Sequence, residues 1–186
     1  KLNIYLKESS VEAQYQALQS QLNPHFLFNS LNTLISEIGY NPENAILFTQ
    51  NLSDVYRYIL QCQQQRLVTL GSELEFLDSY VFLHRVRLGD CITVDCRLNE
   101  SLLEYRLPPL TLQLLAENVI KHNIISLRQP MVLSLSSEDE NWLVVSNSVR
   151  PKKSVQPSGM GLKNLASRYR LVCGQEIIIE KTTELF

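Results

Sequence analysis

Two stretches of heptad-spaced apolar residues, separated by a glycine and a proline, constrain this chain most. In the first, Val11, Tyr15, Leu18 and Leu22 recur at alternating four- and three-residue steps, the seam of a helix packed on another helix. The same step reaches His25 and then Asn29, with Pro24 between the seams. A proline inside a helix removes a backbone donor and crowds the carbonyl one turn back, here that of Ser20. The spacing therefore predicts one helix over 11–38, kinked at Pro24. Past the kink a second seam of Leu27, Leu31, Leu34 and Ile38 takes over, and Gly39 with Asn41-Pro42 ends the helix. In the second stretch Phe48, Leu52, Val55, Ile59 and Cys62 keep the rhythm, which predicts a helix over 43–65. Two such helices joined by a short turn form an antiparallel hairpin. One hairpin buries its seam only in part, and two copies would close a four-helix bundle, so a homodimer is expected.

The polar run QCQQQR at 61–66 marks a boundary. Beyond it the pattern mixes periods. Helices are expected over 72–88, stopped by Gly89, and over 110–122 and 161–172. Strands are expected over 91–98, 131–136, 142–146 and 176–180. The predicted fold class is α+β: a dimerising helical hairpin over 1–66, followed over 67–186 by an α/β sandwich. Residues 147–158, NSVRPKKSVQPS, read as a loop long enough to serve as a lid.

Composition removes several functions. A net charge of −2, with no basic stretch, argues against nucleic acid as a direct partner. The four cysteines form no CxxC pair and only three histidines accompany them, so a zinc site is not expected and the thiols read as small core residues in a reducing compartment. No apolar run is long enough to cross a membrane. Lys1 starts in mid-pattern and Phe186 ends as a strand-like TTELF begins. The expectation is a cytoplasmic piece of a longer protein.

Three segments carry candidate chemistry. In PHFLFNSLN, at 24–32, His25 sits directly after the proline, where the groove of a bundle can open. Imidazole is largely neutral and nucleophilic near physiological pH, its ordinary pKa being about 6.5. Asn29, one turn on, lies on the same helix face, and its side-chain oxygen can accept the ring N–H and fix the tautomer. A plain structural histidine on a helix seam, with a register-setting asparagine beside it, is the ordinary alternative. In LLAENVIKHN, at 114–123, Asn118, Lys121 and His122 share a helix face and Glu117 lies one position off. An amide oxygen suits Mg²⁺, which keeps most of its waters, and a lysine there can neutralise phosphate. The alternative is the polar side of an amphipathic helix. In SGMGLKN, at 158–164, Gly159 and Gly161 allow close backbone approach at a helix start, whose free N–H groups attract anions. Alone, that motif is an ordinary helix start. Arg168, two turns further, reads either as a phosphate contact or, as the ordinary alternative, a surface charge, and the surface reading is the stronger. The three segments in this order make a shared phosphoryl-transfer function the stronger reading.

PHFLFNSLNTL, LSDVYRYIL, LGSELEFLDSYVFLHRVRLGD, LPPLTLQLLAENVIKHN and GMGLKNLASRYRLV together resemble the LytS-like family of sensor histidine kinases over nearly the whole chain. The resemblance implies a histidine-bearing dimerisation hairpin and a Bergerat-type (GHKL) ATP-binding domain whose last strand is cut here. It implies upstream membrane or sensor segments and a place at the inner membrane of a bacterium. The implied partner is a response regulator, often with a LytTR-type DNA-binding domain. By it His25 is the phosphoacceptor, Asn118 the Mg²⁺ ligand, Gly159 and Gly161 with Leu162 and Asn164 the phosphate loop, and 148–158 the ATP lid.

Three departures or particulars stand out. Related kinases carry an aspartate in D-x-G before the lid to accept the adenine amino group, whereas WLVVSN delivers Asn147 followed by Ser148 and Val149. A neutral acceptor is weaker than an ionised one, so weak ATP binding or relaxed base selection is expected, and a nucleotide-poor signalling scaffold is the alternative function. Phe26 follows His25, so no adjacent carboxylate assists it. Hydrolytic relatives of the ATP fold carry a glutamate one turn before the asparagine, where this chain has Leu114. A leucine cannot activate water.

Overall fold

The computed structural model describes residues 23–138, 142–152 and 160–181. The chain divides into two compact units, Lys1–Gln63 and Gln64–Phe186.

In the first unit α1 (Pro24–Tyr40) and α2 (Pro42–Gln61) are joined by one residue. Asn41 ends α1, its N–H donating to Glu37 O at 2.7 Å, and begins α2, its Oδ1 accepting from Asn44 N at 3.2 Å. One residue thus satisfies groups at two helix ends, with its backbone N–H at the first and its side chain at the second. A proline opens each helix at the first-turn position where its missing donor costs nothing. The expected kink is therefore replaced by a start. Asn23 has left-handed backbone, φ 38°, and caps Phe26 N at 3.2 Å, so no continuous helix runs through residue 23 to Pro24. The seam residues Val11, Tyr15, Leu18 and Leu22 lie outside the described residues.

The α2 seam is as expected: Phe48, Leu52, Val55 and Ile59 are buried, with Cys62 in a following 3₁₀ turn. The α1 seam is rotated. Phe26 and Ser30 are its buried residues, Phe26 facing the Tyr56 ring at 6.4 Å between centroids. Leu31 and Ile38 are exposed, forming with Phe28 and Ile35 an apolar stripe on the outer face.

In the second unit β1 (Val68–Thr69) pairs antiparallel with β3 (Arg106–Leu107). Thr69 caps α3 (Leu70–Leu88), accepting from Ser72 N at 3.2 Å, and Gly89 stops it with φ 77°. Three strands form the main sheet in the order β2–β4–β5: β2 (Ile92–Arg97) runs parallel to β4 (Met131–Glu138), and β4 antiparallel to β5 (Trp142–Asn147). Parallel strands need a long crossover, and here it contains α4 (Thr111–His122). A fifth helix, α5 (Met160–Cys173), packs on α4, and α3 packs on both α4 and β2. Met131, Leu133 and Leu135 alternate into the core on β4, while Val132 and Trp142 are exposed. The sheet is thus covered by helices on one face, in an α+β arrangement.

The strand expected over 176–180 is absent; these residues carry no regular structure, and Ile178 and Ile179 are exposed. A strand without a neighbour leaves its backbone donors and acceptors unpaired, and among the described residues β5 has only β4 beside it. The TTELF strand expected at 182–186 lies outside the described residues.

Candidate functional site

His25 stands in the first turn of α1, where the Asn23 cap and Pro24 fix the backbone and leave the ring exposed. Asn29 Nδ2 lies 3.2 Å from Nδ1 and 3.3 Å from Nε2. The two residues meet as the one-turn spacing predicts, but it is the amide nitrogen that faces the ring. Asn29 therefore donates to an imidazole nitrogen rather than accepting its N–H. Turning that amide by half a revolution exchanges donor for acceptor at the same place, so Asn29 can serve either tautomer. No carboxylate is hydrogen-bonded to the ring among the described residues.

The second group of candidates lies on α4. Asn118 and His122 are half-buried on one face with exposed Lys121 between them. The Asn118 side chain has no hydrogen-bond partner among the described residues, an idle amide at half-burial. His122 is held below the usual imidazole range, first by burial and then by the Lys121 and Lys152 ammonium groups. That neighbourhood is positive and favours phosphate oxygens over a proton. Glu117 turns the other way: its charge, after burial, helps raise the pKa of the buried Tyr80 hydroxyl, which is hydrogen-bonded to Gln113. Leu114, one turn before Asn118, is half-buried and places no carboxylate there. Among the described residues no group of three or more His, Cys, Asp or Glu gathers as a metal cage. A lone amide beside a cationic face fits an ion that takes few protein ligands and shares the rest with phosphate and water.

The start of α4 is built by a residue that pattern reading passed over. Leu110 precedes the helix in left-handed backbone, φ 62°, with no capping side chain of its own. Glu73 of α3, fully buried, accepts from Leu110 N at 2.7 Å and from Leu112 N at 2.9 Å. The signal was present: Leu70, Glu73, Leu77, Tyr80 and His84 form one buried stripe on α3, and a carboxylate on such a stripe requires a buried donor.

The far end of α4 holds the segment that leaves β5. Asn123, also passed over, is buried; its Nδ2 donates to Val119 O at 3.0 Å and its Oδ1 accepts from Arg150 N at 2.8 Å. Ile124 N donates to Arg150 O at 2.7 Å, Lys152 N to His122 O at 2.9 Å, and Lys152 Nζ to Ile120 O at 2.8 Å. Asn147, at the end of β5, is buried with Nδ2 donating to Ser148 O at 2.8 Å.

On α5, Gly161 and Asn164 are exposed and Leu162 half-buried. A Cβ on Gly161 would meet nothing within 4 Å, so neither backbone nor packing demands glycine there and the space belongs to solvent or a ligand. Gly159 and the lid residues 153–158 lie outside the described residues. Arg168 is not the surface charge expected. It is half-buried, one buried guanidinium nitrogen has no hydrogen-bond partner among the described residues, and burial lowers its pKa against the opposing pull of Glu73.

Comparison with known proteins matches residues 13–92 to the histidine kinase family model. The chain is 32% identical over 130 residues to the sensor protein LytS of Staphylococcus haemolyticus, covering 70% of this chain and 22% of that protein. It is 31% identical over 189 residues to the sensor histidine kinase YpdA of Escherichia coli, covering 95% and 33%. Against the sensor protein LytS of Bacillus subtilis it is 28% identical over 190 residues, covering 94% and 32%. The chain thus spans between a fifth and a third of the length of these relatives. Among the described residues no helix is long and apolar enough to cross a membrane. With the hairpin, its exposed His25 and the ENVIKH helix in place, these matches identify the chain as a member of the LytS-like sensor histidine kinase family.

Proposed function

We propose that this chain is the kinase core of a two-component sensor, transferring the γ-phosphoryl group of ATP to His25 and from there to an aspartate of a response regulator. The observation that carries the proposal is the presence, in one chain, of an exposed imidazole tethered by an asparagine and a half-buried Asn118 side-chain amide that has no partner among the described residues. In this reading the second unit is a GHKL ATP-binding domain. Lys121 and His122 face phosphate, Gly161, Leu162 and Asn164 line the phosphate side of α5, and Asn147 meets adenine. Mg²⁺ would be held by Asn118, with phosphate oxygens and water as its other ligands, and would neutralise charge on the transferred group. The lone pair of one His25 nitrogen forms the N–P bond as the bond from phosphorus to the ADP oxygen breaks, and the proton on the other nitrogen is held by Asn29 or solvent. Positioning and charge neutralisation supply most of the rate in such transfers. Leu114 offers no base to a competing water.

The chain acts as a homodimer in this reading, in the cytoplasm beneath an inner-membrane sensor of a bacterium, with a response regulator of LytTR type as partner. Incubation with γ-labelled ATP and Mg²⁺ tests it: acid-labile label that vanishes in His25→Gln is expected, and a folded protein that takes no label rejects it.

Asn147 favours a second reading. Its amide nitrogen is engaged by Ser148 O, and its oxygen is a neutral acceptor where related kinases have a carboxylate. A dimeric scaffold that binds nucleotide poorly would follow, and calorimetry with ATP and GTP separates the two.

A further inference from the structure

Three helices meet at Glu73. Its carboxylate belongs to α3, it accepts hydrogen bonds from two amides at the start of α4, and Arg168 of α5 lies within its field. Thr111, beside those amides, donates to Pro108 O at 2.6 Å and is hydrogen-bonded to Tyr169 of α5, whose buried hydroxyl is pushed up to about 12. A side chain that is 0% exposed and takes two main-chain donors at a helix start is held by charge-assisted bonds and by the helix dipole together. It also fixes Leu110, whose left-handed backbone is costly for a leucine and persists only where neighbours determine it.

We propose that Glu73 is a positioning residue for the nucleotide site: by setting where α4 starts and how it is rotated, it fixes the Asn118 face two turns on. The inference rests on the reading of Asn118 as the Mg²⁺ ligand. A buried carboxylate in this place is needed because the chain supplies no local cap. Pro108 and Pro109 precede Leu110, and neither Leu110 nor the prolines carry a side-chain acceptor. Without an acceptor the first turn can unwind or shift by one residue, and a one-residue shift rotates the following side chains by about 100°. Arg168 adds to this from α5: one of its guanidinium nitrogens is buried and the group lies within the field of Glu73, so the helix that carries Gly161, Leu162 and Asn164 is drawn towards the same anchor as the helix that carries Asn118.

The test compares wild type, Glu73→Gln and Leu135→Ala in the same chain, at a temperature where all three are folded. Leu135 is a fully buried β4 residue outside the site and controls for loss of stability alone. Two readouts are taken: amide hydrogen exchange along α4, and the Kd for Mg·ATP by calorimetry. Glutamine keeps the shape but meets one of the two amides with its own NH₂. Faster exchange at Leu110–Leu114 and a roughly tenfold weaker Kd are expected, whereas Leu135→Ala should lower Tm with Kd within about twofold of wild type. If Glu73→Gln does not fold, Glu73→Asp, which keeps the charge and shortens the reach, is read by the same criterion. A variant Kd within about twofold of wild type overturns the inference while leaving the proposed function standing. A wild type that binds neither ATP nor GTP overturns that function, and this inference with it.

Discussion

His25 and His84 sit in similar local company but in opposite surroundings. Each is on a helix with a nitrogen donor about one turn away: Asn29 Nδ2 for His25, and Arg87, whose guanidinium nitrogen lies 2.9 Å from His84 Nδ1. Since guanidinium only donates, His84 Nδ1 accepts and the ring proton sits on Nε2. The rings differ in what surrounds them. His25 is open to solvent. His84 is buried with its ring edge-on to Tyr80 at 4.7 Å, and burial, then the Arg87 charge, lowers its pKa to about 3. A histidine beside a polar partner is therefore not yet a site. Exposure decides which imidazole can meet phosphorus, and the buried one serves the architecture of α3.

That contrast can be broken most sharply at His25 itself. His25→Gln should abolish acid-labile label from γ-labelled ATP while His84→Gln, assayed at pH 8, keeps it; the reverse pattern would exchange the two roles. The loss of the proposed metal ligand should come next in size. Asn118→Ala is expected to cut the labelling rate on the order of a hundredfold, the scale of losing one preorganised charge-stabilising group, with circular dichroism unchanged. Asn29→Ala should slow labelling roughly tenfold, as when a histidine loses its orienting partner. An unchanged rate would remove Asn29 from the mechanism and reduce the contact seen here to helix packing.

The smallest effect is on stability. The folded state keeps His84 neutral down to about 3, whereas the ordinary value is 6.5. Between those values the unfolded chain binds the extra proton, so this contribution to stability is complete above 6.5 and is lost as pH falls towards 3. Urea unfolding at pH 7 and pH 5 should show wild type losing about 1–2 kcal/mol more than His84→Gln over that interval. Parallel losses in both would mean that His84 is not held neutral by the fold.

Periodicity made α2, α3 and α4 legible, because long helices with one buried face repeat their apolar residues at a fixed interval. It failed where a single residue carries two duties. Pro24 reads equally as a kink and as a first-turn residue, and the left-handed backbone of Asn23 decides between them. The α1 seam departs from the pattern because its leucines, Leu27, Leu31 and Leu34, share one side of the helix, whereas the buried face is marked by Phe26 and Ser30, about a quarter-turn away. In the candidate site, Asn118, Lys121 and His122 could be read as a face because they belong to one helix. Glu73 and Asn123 could not, since their partners are contributed by other elements: Leu110 and Leu112 lie 37 and 39 residues from Glu73, and Arg150 lies 27 from Asn123. The strand expected at 176–180 shows the same limit from the other side: β-branched residues propose a strand, and a neighbour has to accept it.

The parallel pairing of β2 with β4 also orders events during folding. Ile92 is matched to Met131 and Arg97 to Ser136, across a connection that contains α4, whereas β4 and β5 are adjacent in the chain. Closing the longer loop costs more entropy before any pairing repays it. The β4–β5 ladder can therefore form early. Among the described residues β2 pairs only with β4, so it joins the sheet once the connection through α4 has brought Met131 back to Ile92. A chain still emerging from the ribosome short of residue 131 has no edge on which Ile92–Arg97 can lie.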